Sequence, residues 1–379
     1  MRKVAIIGVG MTKFGKFPET SFEDLGREAI ISTIRDAGLK PNDIEFGYCG
    51  NVYGGMVMGQ RLLKEVGIAG LEVVNVDNAC ASGSTALRGV WHGISTGLYD
   101  VGIAIGIEKL TNLPPATLVP PGEDLQGEMG MVFPAYFALI MRRYMEAFGA
   151  TSEQISKISV KNHHNGCLNP HSQFQKEVTV EEVLNSRMIC DPITLLQCCP
   201  NSDGAAAAIL CSGSLARRYT SHPITIAASV LQSGDFLYAQ EDFTFSDLTV
   251  KVANKAYEMA GIGPDDIDLC ELHDAFAINE LLHCEELGFC SKGEGCNLID
   301  KGETEIGGRI PVNTSGGLLA KGHPLGATGL AQIAEIVWQL RGEAGQRQVK
   351  TPRVGLAHLV GGSVTDIENG ACTVHIIKK

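Results

Sequence analysis

The 379-residue chain is long enough for about two core-forming domains or one large two-lobed body. Hydrophobic residues make up 44% and charged residues 20%, ordinary for a water-soluble enzyme. A net charge of −12 without any Lys/Arg block excludes nucleic acid and anionic membranes as expected partners, so an anionic substrate must be met by local positive groups.

Val4–Gly10 is too short for a membrane span or a signal sequence and reads as a buried first strand. Phe22–Ala37 has helical spacing of apolar and small residues, with Ser21 as N-cap and Gly38 as stop. Strands are predicted near Phe46–Val52 and Glu72–Asp77, then a helix from Cys80 to about Gly97 and a strand at Val101–Gly106. This alternation predicts an α/β fold with a mostly parallel, helix-covered sheet.

The second half echoes the first. Ala37-Gly38-Leu39-Lys40-Pro41-Asn42-Asp43-Ile44 is matched by Ala260-Gly261-Ile262-Gly263-Pro264-Asp265-Asp266-Ile267. Ile224–Ser229 matches the first strand, and Asn313-Thr314-Ser315-Gly316-Gly317 matches the stretch from Asn78. The expectation is an internal duplication with the active site between two halves, 1–110 and 213–379. Residues 111–212 read as an inserted lid or loop domain. It has a Pro-rich start (Pro114, Pro115, Pro120, Pro121), helices at about Phe133–Phe148 and from Ser152, and a long polar loop from Lys161 to Gln175. Asp203–Leu210 returns to the core as a strand.

The chemistry concentrates at Asn78-Ala79-Cys80-Ala81-Ser82-Gly83. An apolar run ends in a cysteine just before a helix, where free amides and the helix dipole favour a thiolate, so Cys80 is the candidate nucleophile. Three further stretches carry polar groups among small residues: Glu271–Ala277 with His273, Gly316–Gly329 with His323, and His358–Ser363 with Gly361 and Gly362. A cysteine nucleophile needs a base, oxyanion donors and an acid, and this set supplies all of them. The 12 cysteines otherwise show no C-x-x-C pair, and Cys284, Cys290 and Cys296 lack a second ligand cluster. Free thiols in a reducing cytoplasm, and no metal, are expected.

At these residues the chain resembles the thiolase family over essentially its whole length. Asn-Ala-Cys-Ala-Ser-Gly from Asn78 is similar to the thiolase nucleophile motif, and Gly-His-Pro-Leu-Gly-Ala-Thr-Gly from Gly322 to its base motif. His273-Asp274-Ala275-Phe276 and the insertion resemble the sterol-carrier-protein-type and archaeal branch. The resemblance implies two βαβαβ halves in five layers, with a loop domain on the coenzyme A side. It implies that Cys80 carries the acyl group, that His323 is base and later oxyanion donor, and that His273 completes that hole. The Cys80 amide and an amide of the Gly361-Gly362 turn would form a second hole. Coenzyme A enters as a substrate rather than a tightly bound cofactor, and a homodimer with a small OB-fold and zinc-ribbon partner is expected. One departure stands out: the second cysteine of many thiolases is missing near the C-terminus, and His358 is assigned its acid/base role.

The leading expectation is reversible cleavage or condensation of a 3-oxoacyl-CoA, either acetoacetyl-CoA or a branched or aromatic substrate of the benzoylsuccinyl type. Met56, Met58, Met129, Met131 and Phe133 are candidates for a wide pocket. Rival readings are a retro-aldolase on a 3-hydroxyacyl-CoA, an acyltransferase to a non-CoA acceptor, and a non-catalytic acyl-CoA binder.

Overall fold

The computed structural model describes residues 1–113, 125–220, 223–236, 242–365 and 368–379. The four prolines of the predicted Pro-rich loop lie outside this set. The strands are β1 (Val4–Met11), β2 (Phe46–Gly50), β3 (Glu72–Val76), β4 (Val101–Lys109), β5 (Met188–Cys190), β6 (Ile193–Thr194), β7 (Asp203–Ser212), β8 (Ile224–Gln232), β9 (Leu269–Glu271), β10 (Val354–Thr365) and β11 (Glu368–Lys378). Apart from the β5-β6 hairpin they form one nine-stranded sheet in the order β3-β2-β4-β7-β1-β8-β11-β10-β9.

That order is nearly its own mirror image about the antiparallel β1-β8 contact. Moving outward, β7 matches β11, β4 matches β10 and β2 matches β9. Val312, bridged in parallel to Cys270, stands where β3 stands. The echo extends to capping. Gly38 and Gly261 end their helices in the left-handed region at φ 64° and 65°. In the turns that follow, the Asp43 and Asp266 carboxylates each accept a backbone N–H three residues back, at 2.8 Å.

The sheet is mixed rather than mostly parallel. Only β2-β3, β2-β4 and β9-β10 pair in parallel, while β7 and β11 run against both neighbours. Parallel neighbours need a long crossover. Strand β11 begins three residues after β10 ends, so it has to turn back.

Helix α1 (Phe22–Ala37) is capped by the Ser21 hydroxyl, which accepts the Asp24 N–H at 3.0 Å. With α2 (Met58–Lys64) it covers one face of the first set of strands. Helix α3 (Ser82–Ser95) lies on the other face. The insertion holds α4 (Leu125–Glu128), α5 (Phe133–Phe148), α6 (Ser152–Cys167) and α7 (Val180–Leu184), and α8 (Gly213–Ala216) follows β7. Helix α9 (Asp247–Ala260) covers the outer face of the second set of strands. After it come α10 (Ala277–Glu286), α11 (Gly295–Asp300) and α12 (Leu325–Arg341).

Alternation along the strands assigns the layers. Val4 and Ile6 of β1 face a core shared with α3 and α12, while Ala5 and Ile7 face α1. With α9 on the far side this gives five layers, with α3 and α12 as the middle one. Glycines let these two helices meet: a Cβ on Gly83 would lie 2.5 Å from the Gly326 carbonyl oxygen, and one on Gly329 would lie 2.2 Å from Ser84 Oγ. The close approach brings the start of α3 beside the start of α12.

The first part of the predicted polar loop, residues 161–167, is instead the end of α6, while 168–175 is loop as expected. Lys161 and Asn162 are buried because they face other polar groups: Asn162 Nδ2 donates to Asp274 at 2.8 Å and to Glu280 at 2.9 Å, and Lys161 pairs with Glu280 at 2.9 Å. Of the proposed pocket methionines, Met58 is in the core, whereas Met56 and Met129 are exposed.

Candidate active site

After β3 the chain makes a tight turn. Asp77 accepts the Ala79 N–H at 2.8 Å, and Ala79 is held at φ 48°, rare for an alanine. The Asn78 N–H donates to Ser82 Oγ, and Asn78 Nδ2 donates to Thr85 Oγ1, both at 2.9 Å. Cys80 therefore sits just before the N-cap, Ala81, and the Ala81 and Ser82 amides are already bonded within the turn. This changes the expected thiolate. Burial pushes the Cys80 thiol up to about 12. Its own amide and that of Gly362 hold it down, while the Glu108 and Asp77 carboxylates oppose them. The resting form is a neutral thiol.

His323 arrives from the other half. A turn of π-helix, Gly317–Lys321, and Gly322 at φ 111° deliver it to the start of α12, and its own N–H donates to Ser202 Oγ at 3.1 Å. Its Nε2 lies 3.2 Å from Cys80 Sγ, and its Nδ1 lies 2.8 Å from Thr328 Oγ1. The Thr328 hydroxyl spends its proton on the Pro324 carbonyl at 3.0 Å, so it accepts from the imidazole. Nδ1 thus carries the proton, and the Nε2 lone pair faces the thiol. Burial and the nearby Lys321 ammonium lower the His323 pKa to about 3, keeping the ring a neutral acceptor.

His273 closes the site from the end of β9. Its ring is 5.4 Å from that of His323, and both of its nitrogens are buried without a hydrogen-bond partner. Burial holds its pKa well below the usual histidine value, with the His323, His283 and His358 rings adding to the effect. Ligand atoms of Cys80, His273 and His323 lie within 4.8 Å of one another, a set that also has the donor types for a soft metal ion. His358 is placed further along: on β10, fully buried, its ring 4.5 Å from that of His283, which in turn is 6.4 Å from His273. In the glycine turn it is the Gly362 amide that faces the Cys80 sulfur. Gly361 packs against the nucleophile turn, where a Cβ would lie 2.0 Å from the Asn78 carbonyl oxygen.

A buried polar frame holds these loops. Asp274 accepts the Leu318 and Leu319 N–H groups at 2.7 and 3.3 Å, tying the residue after His273 to the turn that leads to His323. Asn313 bridges the Leu272 N–H and Glu280, each at 2.9 Å. Lys321 is matched by Glu271 at 3.6 Å. With Lys161 and Lys321 both paired to glutamates, imidazole and amide groups rather than cations surround Cys80.

Gly362 is one of the two turn amides expected from the sequence, and Thr328 and Asp274 lie inside motifs singled out there, but only the fold shows Thr328 against the His323 ring and Asp274 and Asn162 between the loops. Cys199 lies half-buried beside the site, its amide donating to the Ala275 carbonyl at 2.8 Å. Burial pushes its thiol well up, with Cys198, Cys80 and Asp274 contributing. The adjacent pair Cys198-Cys199 is the one oddity that points to it. An aromatic cleft of about 640 Å³, counting its open mouth, adjoins Gly362 and is lined by His283 and Glu286. Phe133 is the one proposed pocket residue found in its wall. Among the described residues no helix is long and apolar enough to cross a membrane.

These features bring one cysteine and two histidines together where two similar sets of strands and helices meet. The profile for the thiolase N-terminal domain matches residues 4–214, and that for the thiolase C-terminal domain-like region matches 231–369. The chain belongs to the thiolase family and is an acyltransferase. It is 45% identical to an acetyl-CoA acetyltransferase of Methanothermobacter thermautotrophicus over 100% of both chains. It is 41% identical to the benzoylsuccinyl-CoA thiolase subunit BbsB of Thauera aromatica over 95% of both. Among solved structures, the Ltp2-ChsH2(DUF35) aldolase is similar at TM-score 0.86 and 28% identity, covering 98% of this chain and 97% of that one.

Proposed function

We propose that the protein is a coenzyme A-dependent thiolase that cleaves, and in reverse condenses, a 3-oxoacyl-CoA through an acyl group on Cys80. The observation that carries this is the Cys80 Sγ to His323 Nε2 contact at 3.2 Å, with Thr328 fixing the proton on the far nitrogen. In cleavage His323 takes the thiol proton as Cys80 attacks the 3-keto carbon. The C2–C3 bond then breaks, the shorter acyl-CoA leaves as an enolate, and the proton held by His323 passes to its C2, directly or through His358, leaving the imidazole neutral. The thiol of coenzyme A next attacks the acyl-cysteine, gives its proton to His323 and carries the acyl group away, restoring the Cys80 thiol.

The oxygens that become negative are met by amide and imidazole donors fixed in a water-poor site. The amides of Cys80 and Gly362 serve the oxygen bonded to the reacting carbon on Cys80, with Gly361 setting their spacing. His273 and protonated His323 serve the thioester oxygen of the enolate. His358 is the candidate acid/base for the C2 proton. Residues 111–212 serve as the lid on the coenzyme A side, between core halves 1–110 and 213–379. Twelve free cysteines suit a reducing compartment such as the cytoplasm. A homodimer follows the family resemblance, and the DUF35 protein named with the aldolase neighbour supports a small partner subunit.

That neighbour also supports a second reading, a retro-aldolase on a 3-hydroxyacyl-CoA. The discriminating experiment is an assay of acetoacetyl-CoA, longer 3-oxoacyl-CoAs and the matching 3-hydroxyacyl-CoAs, each with and without coenzyme A. Thiolysis that requires coenzyme A and disappears in Cys80→Ser supports the thiolase. Cleavage of a 3-hydroxyacyl-CoA that needs no coenzyme A and survives Cys80→Ser supports the aldolase and defeats the first reading.

A further inference from the structure

The cleft beside Gly362 has a divided wall. One side carries five aromatic rings: Phe133, Tyr136 and Phe137 on α5, with Phe243 and Phe245 just before α9. Phe137 is fixed by stacking on Phe276, at 4.5 Å between ring centres. The other side is polar and comes from α10 and the segment after Gly362. His283 Nδ1 is 2.7 Å from Glu286 Oε2, and Glu286 Oε1 accepts the Ser246 N–H at 2.6 Å. Both carboxylate oxygens are therefore committed, and they set the orientation of the imidazole. What remains is His283 Nε2, on a side chain 5% exposed, with no hydrogen-bond partner. Ser363 Oγ, also buried and unpartnered, stands in the same wall one residue beyond the amide that faces Cys80.

Leaving a buried polar atom unpaired is costly, so two such atoms on residues of one cleft wall call for a ligand that satisfies them. The oxygens at the reacting carbons already have donors in the Cys80 and Gly362 amides and in His273 and His323. An acetyl group has no ring to pack there and no oxygen beyond the one on its reacting carbon. A ring-bearing acyl group would pack against those aromatic side chains.

We propose that this cleft is the acyl-group subsite, and that it selects an acyl chain with an aromatic ring and an additional hydroxyl or keto oxygen held by His283 and Ser363. Glu286 is the positioning residue for His283. The inference rests on the thiolase reading above and deepens it to a substrate class.

The test compares thiolysis of acetoacetyl-CoA, 3-oxo-3-phenylpropionyl-CoA and its three monohydroxyphenyl isomers, together with acylation of Cys80 followed by intact mass. Both ring classes are expected to exceed acetoacetyl-CoA in kcat/KM, and at least one hydroxyphenyl isomer to exceed the phenyl compound by roughly tenfold or more. His283→Phe should collapse that last ratio to near one. Ser363→Ala should reduce it several-fold, and it serves as the second probe should His283→Phe lower the melting temperature. In the kinetics, three results overturn the inference: a preference for acetoacetyl-CoA, an equal loss on every substrate in both variants, or a rise confined to the KM for coenzyme A, which would make the cleft the seat of the pantetheine arm. Acetylation of Cys80 without arylacylation defeats this inference alone. No acylation by any ester defeats it together with the thiolase reading.

Discussion

Cys80 and His323 form a neutral pair at rest, and this sets how the site is switched on. With the thiol pushed up to about 12 and the imidazole held at about 3, proton transfer between them is uphill until the substrate oxygen is in place among its donors. Alkylation of Cys80 by iodoacetamide should therefore rise about tenfold per pH unit from pH 7 to 9, following the thiolate fraction. A rate that levels off below pH 7 would mean a preformed thiolate–imidazolium pair. Thr328 is the second residue on which the pair depends. Thr328→Val removes the acceptor for Nδ1–H, and kcat should fall by roughly 10- to 100-fold with a smaller change in KM, while Thr328→Ser keeps most of the activity. Equal kcat in the Val and wild-type proteins would remove Thr328 from the account. The nucleophile and its partner histidines could be found in the sequence because each sits among glycines and small residues. The thiol's protonation could not, because it depends on burial and on carboxylates from distant segments.

At the scale of elements, the meeting of α3 and α12 is what joins base to nucleophile. Gly329→Ala would place a methyl 2.2 Å from Ser84 Oγ and 2.6 Å from the Ser84 amide nitrogen. The two helices would have to separate, and overpacking of this kind costs about 1–3 kcal/mol. Denaturant unfolding should show that loss, and kcat should drop further than stability alone explains, since Cys80 and His323 part with the helices. Unchanged stability would mean that the helices do not rely on this contact. Strands and α1 were readable from their alternation and caps. The second half of α6 was not: Lys161 and Asn162 look solvent-facing but are buried against Asp274 and Glu280, which lie over a hundred positions away. Helix α10 conceals His283 and Glu286 in the same way. Three-residue spacing of charged groups normally marks an exposed face, yet this helix is buried throughout.

The whole molecule is a duplicated unit joined edge to edge at β1 and β8, and the site lies where the halves diverge in their chemistry: a cysteine turn in the first, a histidine turn in the second. The duplication was readable in sequence because the Gly-capped helix ends and Asp-capped turns recur. The sense of the middle strands was not, because it follows from where the chain doubles back. The molecule also carries a buried neutral histidine remote from the site. His375 on β11, bonded to Ser229 Oγ at 3.1 Å, is held at about 3 by burial and by Arg88. Its folded value lies below the unfolded value of 6.5, so the unfolded chain binds the extra proton first. The stability this residue contributes is complete above about pH 6.5 and is lost as pH falls toward 3, at about 1.4 kcal/mol per pH unit. His375→Gln should flatten the fall in unfolding free energy across that window, and an unchanged slope would place the acid sensitivity elsewhere.

The central claim is that Cys80 carries the acyl group. Intact mass after incubation with acyl-CoA esters, the reactants of the proposed second half-reaction, tests it most directly. The account predicts one acyl group per chain, mapped to the peptide containing Cys80, absent in Cys80→Ser and discharged by added coenzyme A. An unmodified chain that nonetheless turns over substrate, or an adduct that persists in Cys80→Ser, would contradict it.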